Sequence, residues 1–169
     1  MSQKVVVIDT EGDGLADEAT VFHVMGWTYG EVDSNKNLLV DTTHSEHQMK
    51  CLLEQWHRDD YKIIIHNAMR HDVALFRRLL RVNLPYGTYV DTLALSWALN
   101  HDRQKHGLGS YGDDYGVPKP DVEHWQRQEG QTLAEFQYIM RHRVISDVQI
   151  NWLLWKDLES TLGELYDIY

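Results

Sequence analysis

Cysteine is nearly missing from this chain of 169 residues: Cys51 is the only one. A lone thiol excludes a disulfide framework and a thiolate zinc cluster, and it fits a reducing compartment. Long apolar runs are missing too. The first, Val5 to Ile8, ends at Asp9, too short for the core of a signal peptide, and no stretch approaches the roughly 20 residues of a membrane span. The expectation is a cytoplasmic protein with no membrane association. Basic residues are outnumbered, 16 Lys and Arg against 26 Asp and Glu, for a net charge of −10. That argues against gripping duplex DNA by a broad surface, because phosphate contacts need Lys and Arg. It does not exclude a nucleic-acid enzyme, since carboxylates around metal ions count as negative in the sum although the ions offset them. There is no internal repeat, low-complexity tract or interdomain linker, and 43 % of the residues are apolar, so residues 1–169 read as one domain with a real core.

What is present is organised around Val5-Val6-Val7-Ile8-Asp9-Thr10-Glu11-Gly12-Asp13-Gly14-Leu15. Four β-branched residues without a polar break predict a strand buried on both faces. Asp9 and Glu11 stand two apart at its end, so both carboxylates leave the same face. Two such neighbours repel, and keeping both ionised calls for a cation; hard oxygen ligands suit Mg2+ or Mn2+ better than zinc. Taken alone these residues leave a plain Asp/Gly turn open. A calcium loop fits less well, because Thr20 stands where the EF-hand pattern needs Glu and a strand precedes the loop in place of a helix.

Thr20 to Tyr29 and Leu38 to Thr43 read as an antiparallel meander after the first strand. His44 to Arg58 reads as an amphipathic helix on Met49, Leu52, Leu53 and Trp56. Ile63-Ile64-Ile65 marks a second central strand, followed at once by a helix over His71 to Asn83, with Asp72 in its first turn, where the helix dipole favours a negative charge. Arg70, Arg77, Arg78 and Arg81 make this the most basic segment, a solvated face or a path for phosphates. Tyr89-Val90 is a short strand, Asp91 an N-cap, and Gly116 before Pro118 a helix stop. Thr132 to Met140 and Val148 to Tyr166 read as two helices separated by His142-Arg143-Val144-Ile145-Ser146-Asp147. Strands alternating with helices after an antiparallel start give an α/β layer structure with a mixed sheet.

Asp9-Thr10-Glu11, then His66-Asn67 with Asp72, then His142 four intervening residues before Asp147, resemble in order and spacing the three motifs of the DnaQ-like 3′-to-5′ exonucleases, named for their Asp-Glu-Asp-Asp set. Asp91 to Ser96 and His106 to Pro120 are further similar to the proofreading exonuclease domain of bacteriophage family-A DNA polymerases. The resemblance spans nearly the whole chain. It implies a ribonuclease-H-like fold, a five-stranded mixed β-sheet flanked by α-helices, with the motifs converging at one edge of the central strands.

The resemblance also implies a chemistry. Asp9, Glu11, Asp72 and Asp147 would hold two Mg2+ or Mn2+ ions that clamp the scissile phosphate of a nucleic-acid 3′ end, releasing nucleoside 5′-monophosphates. The backbone of Thr10 would hold the terminal 3′ hydroxyl, Leu15 would stack on the last base and Asn67 would contact the strand. One departure matters. The phage domains commonly carry Tyr four residues before the last Asp, where this chain has Arg143, while His142 matches the histidine branch of the superfamily and would take the proton of the attacking water. DNA, single-stranded, is the expected substrate; RNA, as in free-standing members of the histidine branch, is the alternative, and a metal-free nucleic-acid or polymerase-binding module a third. With no room in 169 residues for a polymerase palm, the expectation is a stand-alone exonuclease that docks on a separately encoded polymerase or forms a homo-oligomer.

Overall fold

The computed structural model describes residues 3–168. Its centre is a five-stranded sheet in the order β3-β2-β1-β4-β5, formed by β1 (Lys4–Gly12), β2 (Phe22–Thr28), β3 (Asp41–Thr43), β4 (Tyr61–Ile65) and β5 (Tyr89–Asp91). β1 pairs antiparallel with β2 and parallel with β4, so the meander and the crossover half of the sheet meet on the opening strand. The architecture is the α/β, mixed five-stranded one expected.

Alternation along β1 divides its side chains between two layers. Val6 and Ile8 join Ile63 and Ile65 in a core covered by α1 (Glu46–Arg58) through Met49, Leu53 and Trp56, and by Leu75 and Phe76 of the helix after β4. Val7 and Ile64 face the other way, onto Trp155 of α5 (Leu133–Ile168). Asp9 and Glu11 share the parity of Val7 and are directed to the α5 side; Thr10 shares that of Ile8.

Two helices differ from the sequence reading. The segment after β4 is α-helical only over Asp72–Leu75 (α2), then continues as a π-helix over Phe76–Leu80 that ends at Arg81 in the left-handed region, φ 57°. Near the C-terminus, the two expected helices are one, α5. Nothing in Arg141 to Asp147 breaks a helix: the segment has neither Gly nor Pro, and the Ser146 hydroxyl bonds back to the His142 carbonyl at 3.2 Å. Burial also runs straight through it, because Met140 and Val144 pack on Val24. The start of α5 is fixed by a capping box, in which Thr132 Oγ1 accepts from Glu135 N–H at 3.2 Å while Glu135 Oε2 accepts from Thr132 N–H at 2.8 Å. α3 (Thr92–Leu99) is capped by Asp91 as expected, and α4 (Leu108–Tyr115) stops at Gly116. Among the described residues no helix is long and apolar enough to cross a membrane.

Candidate active site

The site forms where β1 meets α5, and the close approach has a sequence cause. Gly26 on β2 pairs with Asp9. A Cβ built on it would stand 3.1 Å from Val144 and 3.3 Å from Val148. With glycine there, α5 lies against the strand ends and its Asp147 faces Asp9. Asp9, Glu11 and Asp147 each offer a carboxylate oxygen within 4.8 Å of the others, the one such metal-capable group among the described residues.

These acids are hard to ionise together. Burial pushes the Asp9 carboxyl well above its usual range, and the charges of Asp147, Glu11 and Asp72 push it further. Glu11 rises to about 8, from burial first and then from Asp147. Asp147 is raised by burial, against which Lys119 and Arg143 pull it down. Two cationic side chains therefore close the acidic cluster. Lys119 Nζ pairs with Asp147 Oδ2 at 2.9 Å, and Arg143 Nε stands 3.5 Å from Glu11 Oε1 and 3.4 Å from Asp147 Oδ2.

The donor set fits a hard divalent cation. All three groups are carboxylates, and Asp147 Oδ1 is buried without a hydrogen-bond partner, an arrangement that is costly unless a cation takes the oxygen.

Asp72 is buried next to this cluster but is engaged elsewhere: it accepts from Thr10 Oγ1 at 2.5 Å and lies 3.6 Å from His71 Nδ1. Leu15 is exposed and lines a cleft of about 330 Å³ with Glu11, Gly12, Gly14, Glu18, His71 and Trp125. Asn67 sits in the β4–α2 turn with φ 65°, its N–H given to Asp91 Oδ1 at 3.0 Å. His142 is not brought into the carboxylate cluster. It is exposed on α5, its ring parallel to that of Tyr138 with centroids 6.1 Å apart. The unbroken helix explains this: Arg143 and Asp147 are four apart and share a face, whereas His142 is turned about 100° away from Arg143.

Asp13 closes the loop after β1, accepting from Thr20 N–H at 2.7 Å and Val21 N–H at 3.1 Å. Asp13 would stand at the fifth place of an EF-hand pattern beginning at Asp9, and here it serves the turn instead.

Three residues of the site were not anticipated: Lys119, Trp125 and His71. Lys119 carried a signal, lying between Pro118 and Pro120 where the chain is stiffest. Trp125 also stood out, a large aromatic in the polar stretch Asp121 to Gln131. His71 had none beyond its adjacency to Asp72.

A mixed five-stranded sheet with acidic residues at the end of its central strand and on the helix across it is the ribonuclease-H-like architecture, and solved nucleases share it. Brucella melitensis NrnC with bound Mg2+ superposes with a TM-score of 0.63 at 18 % identity, over 94 % of this chain and 75 % of that one. The same protein bound to pGG gives 0.56 at 16 % identity over 98 % and 86 %. The Aedes aegypti Nibbler EXO domain gives 0.57 at 12 % identity over 96 % and 81 %. No protein-family model matches the sequence, and no curated protein does.

Proposed function

We propose that this chain is a divalent-metal-dependent 3′-to-5′ exonuclease that removes nucleoside 5′-monophosphates from single-stranded nucleic acid, DNA by preference. The observation that carries the reading is the trio Asp9, Glu11 and Asp147, with oxygens within 4.8 Å of one another, in a fold shared with a nuclease solved with Mg2+. Asp9, Glu11 and Asp147 would hold one ion, and Asp72, oriented by Thr10, would support a second. When bound, the ions supply Lewis acidity at the scissile phosphate and lower the pKa of water.

The protein's own residues do the rest. Thr10 backbone holds the terminal 3′ hydroxyl, and Asn67 contacts the strand. Leu15 and Trp125, on the same cleft, flank the last base by stacking, which tolerates any base. The resemblance assigns the proton of the attacking water to His142, whose imidazole can accept one; the residue lies on the exposed side of α5, its ring parallel to that of Tyr138. The contact of Arg143 with Glu11 and Asp147 favours a second reading of this step, in which Arg143 orients water or phosphate and no side chain acts as base; its guanidinium stays charged and accepts no proton.

For substrate, the NrnC structure with pGG favours a second reading too, an exonuclease of short RNA. The test compares 5′-labelled and 3′-labelled DNA and RNA strands with Mg2+ and with EDTA, for wild type, Asp9→Ala and Asp147→Ala. Expected is a 5′-labelled ladder that shortens one nucleotide at a time, absent with EDTA and slowed at least about 10³-fold in both variants, the scale of several kcal/mol of metal stabilisation. Full activity in either folded variant overturns the assignment. Faster loss of RNA than of DNA moves the substrate to the second reading.

A further inference from the structure

The two oxygens of Asp147 are treated differently. Oδ2 receives Lys119 at 2.9 Å and faces Arg143 Nε at 3.4 Å, while Oδ1 is buried and bonded to nothing. We propose that Lys119 is a positioning residue for the metal centre: it fixes the Asp147 carboxylate so that Oδ1 is presented to the ion. The inference rests on the metal reading above and adds a residue to it.

The path by which Lys119 arrives supports a dedicated role. α4 ends in a Schellman turn, with Val117 N–H on the Gly112 carbonyl at 2.9 Å and Gly116 N–H on the Asp113 carbonyl at 3.4 Å. Gly116 takes φ +69° there, a conformation costly for any residue with a Cβ. The turn redirects the chain from α4 toward α5. Of the three prolines in the sequence, two flank Lys119, and each locks its own φ and restricts the residue before it. Arg143 donates from Nη1 to the Pro120 carbonyl, tying the far end of this segment to the helix that carries Asp147. The Lys119 stem lies over Gly109, and its side chain is only 24 % exposed. A flexible surface lysine is thus held by a stiff, tethered segment with its ammonium on one carboxylate oxygen.

Outer partners of this kind set the orientation and ionisation of metal-ligating carboxylates, and losing one typically costs 10- to 100-fold in metal affinity. Lys119 also repels an incoming cation, so the two effects of removing it have opposite signs. If orientation dominates, affinity falls; if repulsion dominates, affinity rises.

The experiment is a calorimetric titration of the full chain with Mn2+ alone, without nucleic acid, for wild type, Lys119→Met, Lys119→Gln and Lys119→Arg, each checked for folding by circular dichroism. The inference expects Mn2+ binding weakened roughly 10- to 100-fold in the Met and Gln variants, restored to within a few-fold by Arg, and kcat in the Met variant recovering as Mn2+ is raised. Binding in the folded Met or Gln variant as tight as wild type, or tighter, overturns it. If wild type itself takes up no Mn2+, the metal reading fails and this inference falls with it, a result distinct from a change confined to the variants.

Discussion

Thr10 donates its hydroxyl to Asp72 Oδ1 at 2.5 Å, across 62 positions of sequence and between two buried side chains. The bond joins the strand that carries Asp9 and Glu11 to the helix start that carries Asp72. Thr10→Val keeps the shape and removes the donor, leaving a buried acceptor short of a partner. Stability should fall by about 1–3 kcal/mol, read by urea unfolding at neutral pH. A Thr10→Val chain as stable as wild type would show that Asp72 is satisfied without the bond.

The raised carboxyls link pH, stability and metal. Glu11 titrates near 8 in the folded chain against an ordinary 4.5, so between those values the folded state keeps a proton that the unfolded state gives up. Stability from this group is full below about pH 4.5 and is lost as pH rises through 8; Asp9 and Asp147 are raised in the same direction. Divalent ions replace that proton, so their stabilisation grows over the same window. The metal-free chain should melt lower at pH 8 than at pH 6, and the increase in Tm produced by Mg2+ should be larger at pH 8. At roughly 2–4 °C per kcal/mol for a chain of this size, the difference is measurable by scanning fluorimetry. Equal Mg2+ shifts at both pH values would contradict the coupling.

His142 and Arg143 divide the proposed proton-transfer step. With His142 as base, His142→Ala should lose roughly 10²-fold or more in kcat at saturating Mg2+. With Arg143 as the orienting group, Arg143→Ala carries the loss and His142→Ala stays within a few-fold of wild type. The kcat of the three proteins, measured side by side at saturating Mg2+, separates the cases.

Leu15 and Trp125 lie on one cleft beside Glu11. Stacking is worth about 1–3 kcal/mol per base, so replacing either by Ala should raise KM, with a loss in kcat/KM of roughly 5- to 150-fold, while Mn2+ binding stays unchanged. A Trp125→Ala enzyme with wild-type KM would remove the indole from the binding site.

By itself the sequence determined the parts whose signal is local. The β-branched run Val5 to Ile8 could only be a buried strand, period two sent Asp9 and Glu11 to one side of it, and Asp91 and Gly116 marked helix ends through their own backbone chemistry. The tertiary structure decided what depends on distant neighbours. The sequence reads as two helices separated by His142 to Asp147, yet α5 runs through this segment because Val144 and Val148 pack on Gly26, more than 100 positions earlier in the chain. That packing decides which side chain of the pair meets the carboxylates: Arg143 faces Glu11 and Asp147, and His142 lies on the exposed side with Tyr138. Lys119 reaches Asp147 for the same kind of reason. A salt bridge between residues 28 apart needs a turn, two prolines and a helix face to coincide, and only the folded chain brings them together.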